Sequence, residues 1–316
     1  MSDTVADVLL ARLRDWDVDQ VFRFPGDDIN GLLAAWQREG DKPQFVQARH
    51  EEMSAFEAVG FAKFSGKFGV CVATSDPGTV HLLNGLYDAK LDHVPVVAIV
   101  GRTERSAMGG SYQQEVDLIS LFKDVCSEYV QMCTVPQQLP NLIDRAIRIA
   151  VSKGCPTCII VPSDVFELKY EAPGHAFKQV PSSLGLAPAR VAPDDTAVEA
   201  AADLLNAGEK VAMLVGQGAR DCVTELTQIA DLLGAGAVKA LLGKDVLPDD
   251  LPWGQRFDRV AGHDGELAAD DGLRHAAHRR IEFPLHPVQF MPKLDRARAV
   301  QIDGSGKWIG MCYRTS

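Results

Sequence analysis

Residues 46–89, VQARHEEMSAFEAVGFAKFSGKFGVCVATSDPGTVHLLNGLYDA, decide the architecture. A short apolar run ends in Arg49-His50, and Glu51 and Glu52 then open a stretch of helical period that closes at Gly66. VCVAT (70–74) follows, apolar throughout, and the Gly/Pro turn TSDPGTVH (74–81) leads into TVHLLNGLYDAKL, again of helical period. Strand-length runs alternating with helices make βαβ units, and hence a mostly parallel sheet with helices on both faces. Runs without polar alternation suit strands buried on both sides.

The same alternation extends outward. Upstream, Val5, Val8, Leu9, Leu13 and Trp16 share one face of a helix that Ser2 or Asp3 would cap. VFRF (21–24), QFVQ (44–47), VPVVAIV (94–100) and TCIIVP (157–162) read as strands, INGLLAAWQREG and LPNLIDRAIRIAVSKG as helices. The expected first domain is therefore 1–165, an α/β doubly wound parallel sheet. From 166 to 190 the period lapses over three prolines, which predicts an inter-domain linker. A second α/β pattern occupies 191–316: helix DDTAVEAAADLLNAGE, strand KVAMLVG, helix RDCVTELTQIADLLGA, strand GAVKALL.

After Trp253 the composition changes. Residues 254–289 hold four of the eight histidines and five arginines in 36 residues, with no run long enough for a buried strand. ARAVQID (297–303) then resumes an apolar strand pattern.

With 46% hydrophobic and 24% charged residues, the chain has enough apolar material for about two globular cores. Its net charge of −11, without a Lys/Arg-rich run, argues against nucleic acid or anionic membrane as partner. The first residues lack the basic and apolar regions of a signal peptide, and no segment has the roughly 20 apolar residues that span a bilayer, so a cytoplasmic protein is expected. Seven cysteines argue against a disulfide framework. Cys155-Pro-Thr-Cys158 runs into a strand rather than a helix start and has no second pair, so two half-buried thiols are expected there, not a redox or zinc site.

Each candidate motif has a plain structural explanation. VGQGARD (215–221) follows a strand and opens a helix, but Asp221 stands where a dinucleotide fingerprint has its third glycine and would repel a phosphate. Glu51 suits a first helical turn, where the macrodipole stabilises a carboxylate by a few tenths up to about 1 kcal/mol. Gln113-Gln114-Glu115 reads as a polar loop, and the histidines of 263–286 lack metal-site spacing. Yet FPGDDING (24–31), ARHEE and TSDPGTVH all lie at the C-terminal edge of the expected sheet, where open α/β sheets bind ligands.

Taken in order and spacing, VFRFPGD, RHEEMSAFEAVGFAKFSG, GVCVATSDPGTVHLLNGLYDA, HVPVVAIVG, GGSYQQEVDL and PTCIIVPSDV resemble the N-terminal pyrimidine-binding domain of thiamine-diphosphate enzymes. The resemblance is to the pyruvate oxidase and acetolactate synthase group, and PDDTAVEAAADLLNAGEKVAMLVGQGA resembles the start of its Rossmann-like central domain. It implies decarboxylation of a 2-oxo acid such as pyruvate by thiamine diphosphate with Mg²⁺, and FAD in some members. Glu51 then takes the place of the glutamate that bonds N1′ of the aminopyrimidine, which makes the 4′-nitrogen basic enough to remove the thiazolium proton. Phe56, Val59 and Phe61 would keep that site dry. The resemblance carries Pro25, Gly26, Asp27, Thr74, Pro77, Gly78 and His81 over as cofactor-lining positions, and Gln114 as the glutamine facing substrate. It assigns no metal ligand.

Two departures bear on function. The family turn Gly-Pro-Gly reads Asp76-Pro77-Gly78 here, and a positive φ at Asp76 would cost on the order of 1 kcal/mol. These 316 residues also carry no Gly-Asp-Gly…Asn motif, with which the family's third domain holds Mg²⁺ and the diphosphate. Little or no turnover is expected of them by themselves, and the alternatives are a non-catalytic remnant or one half of a split enzyme. A homo-oligomer, or a chain carrying the diphosphate-binding domain, is the implied partner. The composition of 254–289 is what GC-rich DNA yields when read out of frame; a divergent insert is the other explanation. Either leaves the central domain incomplete and argues against a formed flavin site. An NAD-dependent oxidoreductase is disfavoured by the imperfect glycine motif.

Overall fold

The computed structural model describes residues 3–174, 178, 180–186, 192–208, 211–251, 254–255, 275–279 and 298–304. The chain forms two compact units, Met1–Ala189 and Arg190–Ser316.

In the first unit, α1 (Val5–Asp15) leads to β1 (Gln20–Arg23), a 3₁₀ turn at Asp27–Ile29 and α2 (Asn30–Arg38). Then come β2 (Gln44–Gln47), α3 (Glu51–Ser65), β3 (Gly69–Ala73), α4 (Pro77–His81), α5 (Leu83–Leu91) and β4 (Val96–Arg102). The unit is completed by α6 (Leu118–Phe122), β5 (Val130–Met132), α7 (Leu139–Lys153), β6 (Pro156–Pro162) and α8 (Ser163–Glu167). The six strands pair in parallel in the order β2-β1-β3-β4-β6-β5.

Alternate strand residues feed two cores. Val21, Val72, Ile99 and Ile159 meet α1, α2, α7 and α8 on one face; Phe22, Cys71, Ala98 and Cys158 meet α3, α5 and α6 on the other. The doubly wound expectation is therefore met, with some local differences. The cap of α1 is Thr4, whose hydroxyl accepts from the Asp7 amide at 3.2 Å while the Asp7 carboxylate accepts from the Thr4 amide at 2.8 Å. This reciprocal box takes the place of the expected Asp3 cap, and Ser2 lies outside the described residues. The helix expected over 79–91 begins at Pro77 and divides at Leu82. The three-residue β5 escapes sequence reading because it is short, half-exposed and lies at the sheet edge. Of the stretch read as linker, Phe166 is fully buried in the first core and the Tyr170 amide donates to the Asp3 carbonyl at 3.0 Å.

The second unit contains α9 (Asp195–Asn206), β7 (Val211–Val215), α10 (Val223–Leu233), β8 (Gly236–Lys239), β9 (Gly254–Gln255), β10 (His275–Arg279) and β11 (Arg298–Ile302). Its strands pair in parallel in the order β11-β10-β7-β8-β9, with Val211, Met213, Val215, Ala230 and Leu247 in the core. β9 and β10 lie within 254–289, the segment read as having no run long enough for a buried strand. β10 pairs with β7 on one side and β11 on the other, so the backbone ladder places it without an apolar pattern. Residues 256–274 and 280–297 lie outside the described residues, and with them most of the segment suspected of frame change and the expectations about its packing and flavin binding. Among the described residues no helix is long and apolar enough to cross a membrane.

Candidate cofactor site

The chain reverses its direction of travel across the first sheet between β1 and β3: β2 is added to one side of β1, the later strands to the other. In open parallel sheets such a reversal leaves a crevice at the carboxyl ends of the two strands, and ligands bind there. The segments after β1, β2 and β3 carry Pro25-Gly26, Glu51 and Thr74–Gly78 respectively, so the topology brings the three motifs to this edge.

Glu51 is the first residue of α3 and only 7% exposed. Its Oε2 lies 3.1 Å from His81 Nδ1 and 3.9 Å from His50 Nε2. The two imidazoles lean together with centroids 4.3 Å apart. His50 also caps α3, its Nδ1 accepting from the Glu52 amide at 3.3 Å. Glu51 Oε1 has no hydrogen-bond partner among the described residues and faces Gly78, where an added Cβ would stand 3.0 Å from it. The same Cβ would be 2.8 Å from Thr74 Cγ2, and one on Gly26 would be 2.4 Å from Thr74 Cβ. Both glycines are therefore set by close approach: a side chain at either would push against Thr74 or the carboxylate.

The turn itself is held from two sides. The Asp28 amide donates to Thr74 Oγ1 at 3.2 Å, and Ser75 Oγ donates to the Asp28 carboxylate. Asp76 adopts φ 53°, ψ −105° and is 1% exposed. Its Oδ1 accepts from the Val116 amide at 3.0 Å, while Oδ2 is buried without a partner among the described residues. Burial pushes the Asp76 carboxyl above its ordinary range; the neighbouring Ser75 hydroxyl, the Val116 amide and Arg102 oppose this, and the Asp28 charge adds to it.

The expected site residues thus divide. Glu51, His81, Gly26, Thr74 and Gly78 come together, and Pro25 and Pro77 flank them in the two turns. Asp27 is exposed at the start of the 3₁₀ turn, and its neighbour Asp28 makes the contacts to Thr74 and Ser75. Gln114 is exposed with φ 65° in the loop after β4 and has no hydrogen bond to the cluster among the described residues. Val59 is buried and half-buried Phe61 packs on Phe22, but Phe56 is 44% exposed and does not wall the carboxylate. His50, Asp28 and Ser75 were not singled out from sequence. His50 had a signal, since the residue before a helix-opening Glu-Glu is its cap; choosing Asp28 over Asp27 needs the phase of the 3₁₀ turn.

Comparison with known proteins places this geometry in a class. Residues 3–121 match the family model of the thiamine pyrophosphate enzyme N-terminal TPP binding domain, and residues 198–271 match that of the thiamine pyrophosphate enzyme central domain. The chain belongs to the thiamine pyrophosphate enzyme family. It is 36% identical over 311 residues to YdaP of Bacillus subtilis (strain 168), whose name proposes a thiamine pyrophosphate-containing protein; the match covers 98% of this chain and 52% of that one. It is 32% identical to pyruvate oxidase of Lactiplantibacillus plantarum (76% of this chain, 39% of the relative) and 30% identical to chloroplastic acetolactate synthase of Arabidopsis thaliana (78% and 36%). The chain therefore spans about half the length of YdaP and less of the other two. An X-ray structure of a Mycobacterium smegmatis protein, proposed to be a thiamin diphosphate-dependent enzyme, superposes with a TM-score of 0.76 over 95% of this chain and 57% of that one. At 20% identity this likeness concerns the fold alone.

Proposed function

We propose that this chain holds the aminopyrimidine of thiamine diphosphate at Glu51 and forms the ring-activating half of a site that decarboxylates a 2-oxo acid of the pyruvate class. The observation that carries the reading is the Glu51 carboxylate: buried, at the switch point, with Oε2 engaged by His81 and Oε1 beside Gly78 without a hydrogen-bond partner among the described residues. An acceptor fixed at one oxygen and without a partner at the other fits a ring nitrogen that shares its proton. When bound, thiamine diphosphate supplies an acidic thiazolium carbon and an electron sink for the bond to the departing carboxyl group. In this reading Glu51 holds the shared proton at Oε1 and His81 orients the carboxylate. Thr74 and Pro77 line the ring, and Gln114 faces the substrate.

The 316 residues include no diphosphate or Mg²⁺ motif, so in this reading they turn over little by themselves. The remaining ligands come from a diphosphate-binding domain outside these 316 residues. In this reading the exposed Met53, Phe56 and Phe64 on α3 and Tyr87 and Leu91 on α5 offer an association surface. The test is CO₂ release from pyruvate with thiamine diphosphate and Mg²⁺. No steady release is expected from the purified chain; release is expected once a family diphosphate-binding domain is added, and Glu51→Gln should abolish it. Release unaffected by Glu51→Gln would sink the reading. Silence under all conditions, with no thiamine diphosphate bound, would favour a non-catalytic remnant.

A further inference from the structure

We propose that His50, Glu51 and His81 form a three-ligand site for a borderline divalent cation of the Zn²⁺ type. His50 Nε2, a Glu51 oxygen and His81 Nδ1 all lie within 4.8 Å of one another. The separations to Glu51 Oε2 are 3.1 Å and 3.9 Å. Ligands about 2.0–2.1 Å from a tetrahedral zinc stand about 3.3 Å apart, so the triad needs only small side-chain rotations to close on an ion. Two imidazoles and one carboxylate are a common three-ligand set for an open zinc site, with the fourth position left to water. The histidine side chains are 45% and 44% exposed, which leaves both an entry path and room for that water.

Ordinary hydrogen bonding accounts for His81, which meets the carboxylate at 3.1 Å. It does not account for His50. At 3.9 Å its Nε2 makes no hydrogen bond to Glu51, and its capping contact to the Glu52 amide is a long 3.3 Å. Binding would turn both rings so that the lone pairs of His50 Nε2 and His81 Nδ1 face the ion, with the proton on the other ring nitrogen. The losses are the weak His50 cap and the 3.1 Å hydrogen bond between His81 and Glu51; no net proton need leave a neutral ring. The net charge of −11 favours accumulation of a cation. The site stands on these three side chains alone. One consequence rests on the cofactor reading: metal on Glu51 and a ring nitrogen on Glu51 would exclude each other.

The test is titration of the chelator-treated full chain with Zn²⁺ against a chromogenic competitor, without thiamine diphosphate, and with Co²⁺ as a spectroscopic probe. One equivalent is expected, with intense tetrahedral Co²⁺ bands in the visible. His50→Ala and His81→Ala should each weaken binding by at least about tenfold, since loss of even an outer-shell partner costs 10–100-fold. Circular dichroism and melting confirm the fold of each variant, and His81→Gln serves if His81→Ala does not fold. Wild-type affinity in the histidine variants, or no binding by the wild-type chain, would overturn the proposal. Failure to bind thiamine diphosphate with the metal titration intact would overturn the cofactor reading alone.

Discussion

Asp76 stands at a backbone position that charges an L-residue for its Cβ, at φ 53° and ψ −105°, and it is buried as well. The departure from glycine was legible in the sequence. What Asp76 does there was not, because the partner of its Oδ1 is an amide 40 residues away at Val116. Through that bond one carboxylate ties the turn beside Glu51 to the end of the loop that carries Gln114. The sign of its effect on stability follows from the raised pKa. An acid whose folded pKa exceeds its unfolded value of 3.8 contributes fully below 3.8, and the contribution is lost as pH rises through the folded value. At neutral pH Asp76 therefore weakens the fold. Asp76→Asn keeps the Oδ1 acceptor and tolerates positive φ while removing the charge. It should raise stability at pH 7 by roughly 1 kcal/mol, the size of an ordinary single-site effect, and by nothing at pH 3. Denaturant titrations of both proteins at the two pH values check this; an equal gain at both would mean that the charge is irrelevant.

The helix that carries Glu51 is built for close approach. Its buried face is Ser54, Ala55, Ala58, Val59 and Ala62, a series of small residues that reads in the sequence only as weak amphipathicity. The reason lies in its neighbours. A Cβ on Gly85 of α5 would stand 2.5 Å from Ala55 Cβ, and one on Gly69 of β3 would stand 2.2 Å from the Ala58 carbonyl oxygen. Gly85→Val should therefore force α3 and α5 apart, costing on the order of 1–3 kcal/mol as overpacking does, and it should weaken any ligand held between Glu51 and His81. A melt together with a Zn²⁺ titration reads both effects. A second clamp lies on the opposite face of the sheet. The Asp144 side chain of α7 is fully buried and accepts from Arg12 Nε at 2.9 Å, Arg12 Nη2 at 2.6 Å and Trp16 Nε1 at 2.7 Å, and also from Ser182 Oγ. Burial pushes this carboxyl up, but the hydrogen bonds from Arg12, Ser182 and Trp16 outweigh it, and the pKa falls below 3.8. The sign is opposite to that of Asp76: the contribution is present above 3.8 and is lost as pH falls through the folded value. Asp144→Ala leaves Arg12 and Trp16 without their acceptor and should cost about 3–5 kcal/mol at pH 7, as breaking a buried pair does. None of this was legible, since Asp144 reads as one more polar residue of an amphipathic helix.

At the scale of the molecule, alternation of apolar runs with helical periods was enough to give a doubly wound parallel sheet, since only buried parallel strands lack polar alternation. The strand order 2-1-3-4-6-5 was not legible: whether β2 or β3 lies beside β1 depends on crossover lengths and on which face each helix covers. The order matters because it creates the crevice that receives Glu51. It also decides where folding cooperativity ends. Every residue of the two cores that sandwich the first sheet falls between Val5 and Leu168, and the core around β7 and β8 draws only on residues between Leu205 and Leu251. A unit whose core closes on itself should fold without the other. The fragment 1–189 should therefore melt in one cooperative transition, within about 3 °C of the matching transition of the full chain, the shift that roughly 1 kcal/mol makes in a unit of this size. The full chain should show a second, separate transition. Scanning calorimetry of both proteins checks this. A fragment without a cooperative melt would mean that residues beyond 189 supply contacts the first unit cannot do without.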